Sequence, residues 1–148
     1  MAKAVANCIC KTCGKEFEFT KILRNCTEAN KFKSWAEENI IECEECRKER
    51  IYLSHKQENT VAIENSNKRE WPELTGTTKQ VEWASSIREK EMSPIIKIIE
   101  DNGNHPKIEQ YRNAADRMLG HTRADWWISN KGFILSIFQA EIRSSINK

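Results

Sequence analysis

The chain has 148 residues, a length that suits one ordinary domain or two small ones. Its 24 lysines and arginines nearly balance 22 aspartates and glutamates, so the clear basic excess of a protein that binds nucleic acid mainly through phosphates is missing. No apolar run approaches membrane-spanning length and no apolar signal region follows the first four residues, so we expect a cytoplasmic protein that does not bind membranes. In a reducing cytoplasm the six cysteines are expected to serve metal binding rather than disulfides.

Two CxxC pairs stand out in the first half of the chain: Cys10 with Cys13, and Cys43 with Cys46. Each pair forms a tight knuckle that directs two thiolates at a common point, so the spacing predicts one structural, tetrahedral Zn²⁺ held by these four cysteines. Gly14 supports the prediction, because the residue after a knuckle often turns sharply and glycine does so without steric cost. Four thiolates and one Zn²⁺ bring the formal charge of +2 to about zero.

The residues around these pairs predict a small zinc-binding domain over residues 1–56. Residues 16–20 alternate polar and apolar side chains, which is typical of one strand of a hairpin. Thr27 is the predicted N-cap of a helix over residues 28–39, and Trp35 is expected in the core beneath that helix. A further helix is predicted to begin at the second cysteine pair, an arrangement typical of treble-clef and zinc-ribbon domains.

Cys8 and Cys26 fall outside the two pairs. Cys8 is expected to be a spare thiol near the site, since it lacks knuckle spacing to Cys13; the alternative is that Cys8 replaces Cys10 as a ligand. Cys26 precedes a predicted helix start, where a thiol pKa can fall, but a small buried hydrophobic residue is the favoured interpretation. A nucleophile built from Cys26 and His55 stays open as an alternative.

The middle of the chain predicts a linker followed by a helix. Residues 57–69 are polar and indicate a linker with room for one short strand or helical turn. Thr77 and Gln80 fit a capping box at the start of an apolar-faced helix. Pro94 is expected to interrupt or kink that helix.

Three more helical segments are predicted in the last third. One ends at Gly120, a short one contains Trp126 and Trp127, and one covers residues 133–146. Adjacent tryptophans on a helix do not face the same core, so one of the pair is expected at a groove or partner surface. The predicted fold class is α+β and mostly α: a four-cysteine zinc-ribbon or treble-clef-like domain, then a small helical bundle over residues 70–148.

Three stretches of the chain are distinctive. They are Cys10-x-x-Cys13-Gly14-Lys15-Glu16-Phe17 with Trp35-Ala36-Glu37-Glu38-Asn39-Ile40 and Cys43-x-x-Cys46; Pro72-Glu73-Leu74-Thr75-Gly76-Thr77-x-Lys79-Gln80-Val81-x-Trp83-Ala84-x-x-Ile87-Arg88; and Ala124-Asp125-Trp126-Trp127-Ile128. Together they resemble small uncharacterised proteins of Gram-positive bacteria and their phages that combine a zinc ribbon with a helical domain. That group continues the last stretch with Asp-x-Arg where this chain has Ser129-Asn130-Lys131, so no role of that acid and arginine is carried over. The resemblance covers most of the chain and implies a phage or mobile-element origin, and hence a host cytoplasm, but no mechanism.

These observations predict a non-catalytic zinc-binding protein that binds a macromolecular partner. Four cysteines close the zinc shell to water, and the chain lacks a Gly-rich phosphate loop, an HExxH motif and paired carboxylates at a spacing typical of catalysis, so we expect neither an enzyme nor a small-molecule substrate. In a phage-type protein the expected partner is a host or phage protein, such as a host defence nuclease that is inhibited by occlusion. The candidate partner-binding residues are Lys11, Lys15, Arg47, Lys48, Trp126 and Trp127.

The alternative is a regulatory zinc-ribbon protein that binds DNA or RNA. Basic residues flank both knuckles and can form a local basic face, although glutamates are interleaved with them. The stretch Thr75-Gly76-Thr77 also suggests an anion site at a helix N-terminus, but ordinary capping explains it without a ligand.

Overall fold

The structure, a computed structural model, describes residues 1–146, so the last two residues of the predicted helical bundle lie outside the described part. The chain forms two compact units, Met1–His55 and a second that begins at Lys56. Within residues 1–146 it is mostly helical, with one small antiparallel sheet. Its elements in chain order are β1 (Ala2–Ile9), β2 (Glu16–Leu23), α1 (Cys26–Asn39), α2 (Glu44–Lys68), α3 (Thr78–Asp101), α4 (Ile108–Leu119), α5 (Ala124–Ser129) and α6 (Ile134–Ile146). None of the helices in residues 1–146 has the length and apolar character that crossing a bilayer requires.

The first unit is built on a β-hairpin that α1 covers on one side. Strand β1 pairs antiparallel with β2, with Cys8 opposite Phe17 and Ala6 opposite Phe19. The buried side chains of the hairpin and α1 are small, with Ala6, Cys8 and Ala36 at the centre. Small side chains let the helix lie close to the strand, but they bury little apolar area, so this unit has a small hydrophobic core.

Two expectations about α1 are corrected. Asn25, rather than Thr27, is the N-cap: its side-chain oxygen accepts a hydrogen bond from the N–H of Glu28 at 2.9 Å. Trp35 is not a core residue, because 53% of its surface is exposed. The helix turns Ala36 towards the hairpin, and Trp35 lies beside Phe32, with 5.7 Å between the ring centroids.

The predicted linker over residues 57–69 is corrected to helix as far as Lys68. Helix α2 runs without a break from Glu44 to Lys68 and contains the boundary between the two compact units. Its 25 residues include no glycine or proline, so no helix-breaking residue interrupts α2. Only Ala62 and Ser66 of this helix are buried. Polar side chains are compatible with a solvated helix when neither glycine nor proline interrupts it.

The second unit contains the larger hydrophobic core, as the apolar periodicity of this half predicts. Helices α3 to α6 pack around Met92, Met118, Trp127 and Ile134, which are all fully buried. Pro94 was expected to interrupt or kink α3, and the first of these is corrected, because the helix runs through the proline without a break. Apolar residues before and after the proline pack into the same core, so tertiary contacts hold the helix continuous despite one missing hydrogen bond.

Candidate metal centre

The first knuckle is the connection between the two strands of the hairpin. Cys10 directly follows β1, and its N–H donates to the carbonyl of Lys15 at 2.9 Å. The N–H of Gly14 donates back to the carbonyl of Cys10 at 2.8 Å, which closes the turn around Cys13. Gly14 has a φ of 74°, the left-handed conformation expected from its position after the knuckle.

The second knuckle is the start of α2. Cys43 directly precedes the helix, and its carbonyl accepts a hydrogen bond from the N–H of Arg47 at 2.9 Å. Cys46 therefore lies in the first helical turn, where free backbone N–H groups and the positive end of the helix dipole favour thiolates. A backbone hydrogen bond of 2.8 Å from the N–H of Lys11 to the carbonyl of Ile41 joins the first knuckle to the segment that leads into the second.

The four sulfurs form one compact group. The Sγ atoms of Cys10, Cys13, Cys43 and Cys46 all lie within 4.8 Å of one another, and those of Cys13 and Cys43 are 3.8 Å apart. Ligands about 2.3 Å from a tetrahedral Zn²⁺ are about 3.8 Å from each other, so the group fits one ion. Cys10 and Cys43 are buried and Cys13 is exposed, which places the centre at the surface of the unit.

The electrostatics of the group favour a bound cation. Backbone N–H groups, first that of Cys43 and then that of Cys13, lower the pKa of Cys10 to about 6 despite its burial. The pKa of Cys46 is raised, chiefly by its hydrogen bond with Cys43 and by burial, and further by the negative charge of Cys10. In the unloaded group the thiolate of Cys10 is favoured and that of Cys46 is opposed, and a divalent cation relieves the repulsion between the two.

Most basic side chains beside the knuckles are paired with acidic ones. Arg47 forms two hydrogen bonds with Glu44 at 2.8 and 3.0 Å, and this contact lowers the pKa of the Glu44 carboxyl. Lys11 is exposed and has no ion-pair partner within residues 1–146. The other pairs are Lys15 with Glu45 at 3.5 Å, Lys48 with Glu44 at 3.6 Å, and Arg50 with Glu42 at 3.0 Å.

The two remaining cysteines lie outside the metal group. Cys8 is buried between β1 and α1, and its Sγ lies 3.6 Å from the carbonyl oxygen of Ala36. Burial, and then the charge of Glu37, raise the pKa of Cys8, so this thiol suits a core rather than a ligand position. Cys26 is exposed, which corrects the expectation that it is buried, and no hydrogen bond joins it to His55 in the described residues.

The tryptophan pair divides between core and surface. Trp127 is fully buried and its indole N–H donates to the carbonyl of His121 at 2.7 Å, so its candidacy as a partner-binding residue is corrected to a core role. Trp126 is half-buried and stacks on the His121 ring, with 3.8 Å between centroids and 5° between planes. Trp126 therefore keeps one accessible face.

The predicted capping box at the start of α3 is confirmed, since Thr77 and Gln80 exchange both hydrogen bonds.

Sequence reasoning missed two features of the structure. Strand β1 was not predicted, although small residues alternate along it at Ala4, Ala6 and Cys8 and that period was the available signal. The exposed aromatic group of Phe19, Phe32 and Trp35 was also missed, because apolar residues at helical spacing were assigned to a core.

The fold and the site define the class of this protein: a mostly helical chain with a small hairpin and a four-cysteine group that can hold one metal ion. The chain matches no protein-family profile, and neither the curated proteins nor the solved structures contain a significant match. The resemblance to zinc-ribbon proteins of Gram-positive bacteria and their phages therefore stays a prediction.

Proposed function

We propose that this chain is a non-catalytic, partner-binding protein whose first unit is a zinc-ribbon or treble-clef-like domain held by one structural Zn²⁺. The observation that carries the proposal is the group of four sulfurs within 4.8 Å of one another, supplied by a hairpin turn and a helix start. Treble-clef domains bring their ligands together from the same two kinds of element. Four thiolates that are close enough to surround one ion tetrahedrally are suitable ligands for a structural Zn²⁺.

A structural role follows from the donor set. Four cysteines fill all four positions of a tetrahedral ion, which leaves none for a water molecule or a substrate. The first unit has a small hydrophobic core, and domains with little buried apolar area are commonly stabilised by a bound metal. The proposed role of the metal is therefore to stabilise this unit.

A protein partner is favoured over nucleic acid by the charges beside the knuckles. Of the four basic candidates, Lys15, Arg47 and Lys48 lie in ion pairs with glutamates, and Lys11 alone has no such partner in the described part of the chain. Neighbouring opposite charges cancel the positive potential that attracts phosphates. The surface beside the metal is therefore mixed in charge, as protein-binding surfaces often are at their rims.

The partner class rests on the sequence resemblance alone. Similarity to phage proteins supports a host protein as the target, such as a defence nuclease that is inhibited when its surface is occluded. Binding of this kind needs no catalytic group on the chain. Lys11 and the accessible face of Trp126 remain candidate contacts.

Three measurements test the proposal. Elemental analysis of the purified protein is expected to find one zinc and no iron per chain, and a chain without zinc contradicts the structural assignment. Fluorescence anisotropy with mixed DNA and RNA is expected to show no binding that weakens steeply with salt; such binding would favour the nucleic-acid alternative. Affinity capture from a Gram-positive host lysate, with wild type compared with Trp126→Ala and with Lys11→Glu, tests each of these two candidate contacts separately.

A further inference from the structure

The outer edge of β2 presents backbone groups that can accept another strand. The hydrogen bond between Cys10 and Lys15 lies one step beyond the last pair of the hairpin ladder, so it fixes which pairs are hydrogen-bonded. Because such pairs alternate in an antiparallel ladder, the backbone groups of Glu18, Thr20 and Ile22 point away from β1. These outward N–H groups have no acceptor within residues 1–146.

Apart from its charged side chains, β2 lacks the usual devices against strand pairing. Strand β2 has eight residues, no proline, no glycine and no bulge, and it is exposed along most of its length. Natural proteins normally shorten, bend or cover such an edge, since it is a template for pairing with another chain. The side chain of Ile22, which is 65% exposed, adds apolar surface beside the free backbone groups.

The charges along β2 are complementary to the same strand in the opposite direction. Glu16 and Glu18 occupy its first half, whereas Lys21 lies in its second half and Arg24 follows its end. Neither Glu16 nor Arg24 has an ion-pair partner within residues 1–146. An acidic half and a basic half favour antiparallel pairing of two identical strands.

We propose that β2 pairs antiparallel with β2 of a second copy of this chain, about a twofold axis at Thr20, so that two hairpins form one four-stranded sheet. This register places Glu16 opposite Arg24 of the second copy and lets the two Thr20 residues exchange both backbone hydrogen bonds. Moving the axis to Lys21 sets two lysines opposite each other. An axis at Phe19 leaves Glu16 opposite Ile22 instead of a cation.

The exposed aromatic group lies beside the proposed seam. Phe19 is on β2, its ring centroid is 6.1 Å from that of Phe32, and Phe32 contacts the exposed Trp35. The ammonium of Lys21 already lies 4.9 Å from the centre of the Phe32 ring. In the paired sheet Phe19 lies opposite Lys21 of the second copy, so the same cation–π chemistry extends across the seam.

Sedimentation equilibrium of the zinc-loaded full chain, over a concentration series, tests the proposal. The expected result is a dimer of twice the 17.3 kDa chain mass. Thr20→Pro removes the two central hydrogen bonds and leaves the β1–β2 ladder intact, so it should raise the dissociation constant about tenfold or more. Val5→Pro is the matched control, because Val5 lies directly opposite Thr20 and its N–H faces the other edge of the hairpin.

Charge exchange identifies the register independently. Glu16→Lys and Arg24→Glu should each weaken the dimer, and the double variant should restore it, because the double variant rebuilds the same pair with reversed charges. Zinc content and circular dichroism of each variant report whether the first unit is folded. A wild-type chain that stays monomeric overturns the proposal, and any strand that pairs with the edge of β2 would then come from a different protein. A dimer that Thr20→Pro and Val5→Pro affect equally overturns it as well.

Discussion

Replacing Cys43 by serine tests the contribution of the proposed metal separately from that of the helix start, because it removes one sulfur and keeps the start of α2. Cys43 is buried, belongs to the four-sulfur group and directly precedes α2. Serine is a preferred N-cap, so the substitution keeps the helix start favourable and leaves the backbone hydrogen bond from Arg47 in place. The substitution therefore removes a metal ligand and little else, and any loss of structure is attributable to the metal.

The free energy of folding that is lost with the metal is expected to be large compared with the contribution of the hydrophobic core of the first unit. Binding of structural zinc contributes about 10–16 kcal/mol to the folding of small zinc domains. The central buried side chains here are Ala6, Cys8 and Ala36, and the larger Phe17 and Phe32 are only partly buried. A fully buried large apolar side chain contributes about 1.5–3 kcal/mol, so this core cannot replace a lost metal. We therefore expect Cys43→Ser to lose its zinc and to unfold the first unit.

Elemental analysis combined with hydrogen exchange followed by mass spectrometry measures both effects. In Cys43→Ser the amides of β1, β2 and α1 should lose protection, and those of α3 to α6 should keep it. Cys26→Ser is the control, because Cys26 is an exposed cysteine of the same unit outside the sulfur group. A Cys43→Ser chain that keeps wild-type protection in its first unit would refute the reasoning, and so would a Cys26→Ser chain that loses its zinc.

Four further substitutions test other parts of the structure. Gly14→Ala should cost about 1–2 kcal/mol and weaken metal binding in a chelator competition, since φ is 74° and nothing lies within 4 Å of the added methyl. Trp127→Ala should lower the free energy of unfolding by about 3–5 kcal/mol in denaturant titrations, and Trp126→Ala by clearly less, because only Trp127 is fully buried. Thr77→Ala should cost about 1 kcal/mol through loss of the capping box, measured in the same way. Gln57→Pro should cost about 3 kcal/mol or more, whereas Gln57→Ala should be tolerated; equal amide protection around residue 57 in both variants would mean that this segment is not a helix.

The four cysteines that can hold a metal ion were predictable because their signal is local. Two cysteines three positions apart form a knuckle with few demands on the rest of the chain, so the spacing alone identified all four residues that the structure brings together. The capping box of α3 is local in the same sense, since Thr77 and Gln80 satisfy each other's backbone groups. Neither feature depends on distant packing.

The errors concern features that distant packing decides. Asn25 and Thr27 are both good capping residues, and which of them starts α1 depends on where the chain leaves β2. Pro94 stays inside α3 because the core on both sides of it holds the helix together. The polarity of residues 57–68 indicated a linker, but polarity without glycine or proline also fits a solvated helix.

The predictions for Trp35 and for the pair Trp126 and Trp127 had different outcomes, and the difference in core size explains both. Trp35 was expected in a core, but the core beneath α1 is centred on two alanines and a cysteine, and α1 turns Ala36 rather than Trp35 towards it. One of Trp126 and Trp127 was expected at a surface, and the larger core of the second unit encloses Trp127 and leaves Trp126 half-buried. A unit that leaves a tryptophan exposed has surface available for binding, and the four-cysteine group brings the turn between β1 and β2 next to the start of α2. If the strand pairing proposed for β2 is correct, removal of the metal should therefore dissociate the dimer even though none of its contacts involves a ligand cysteine.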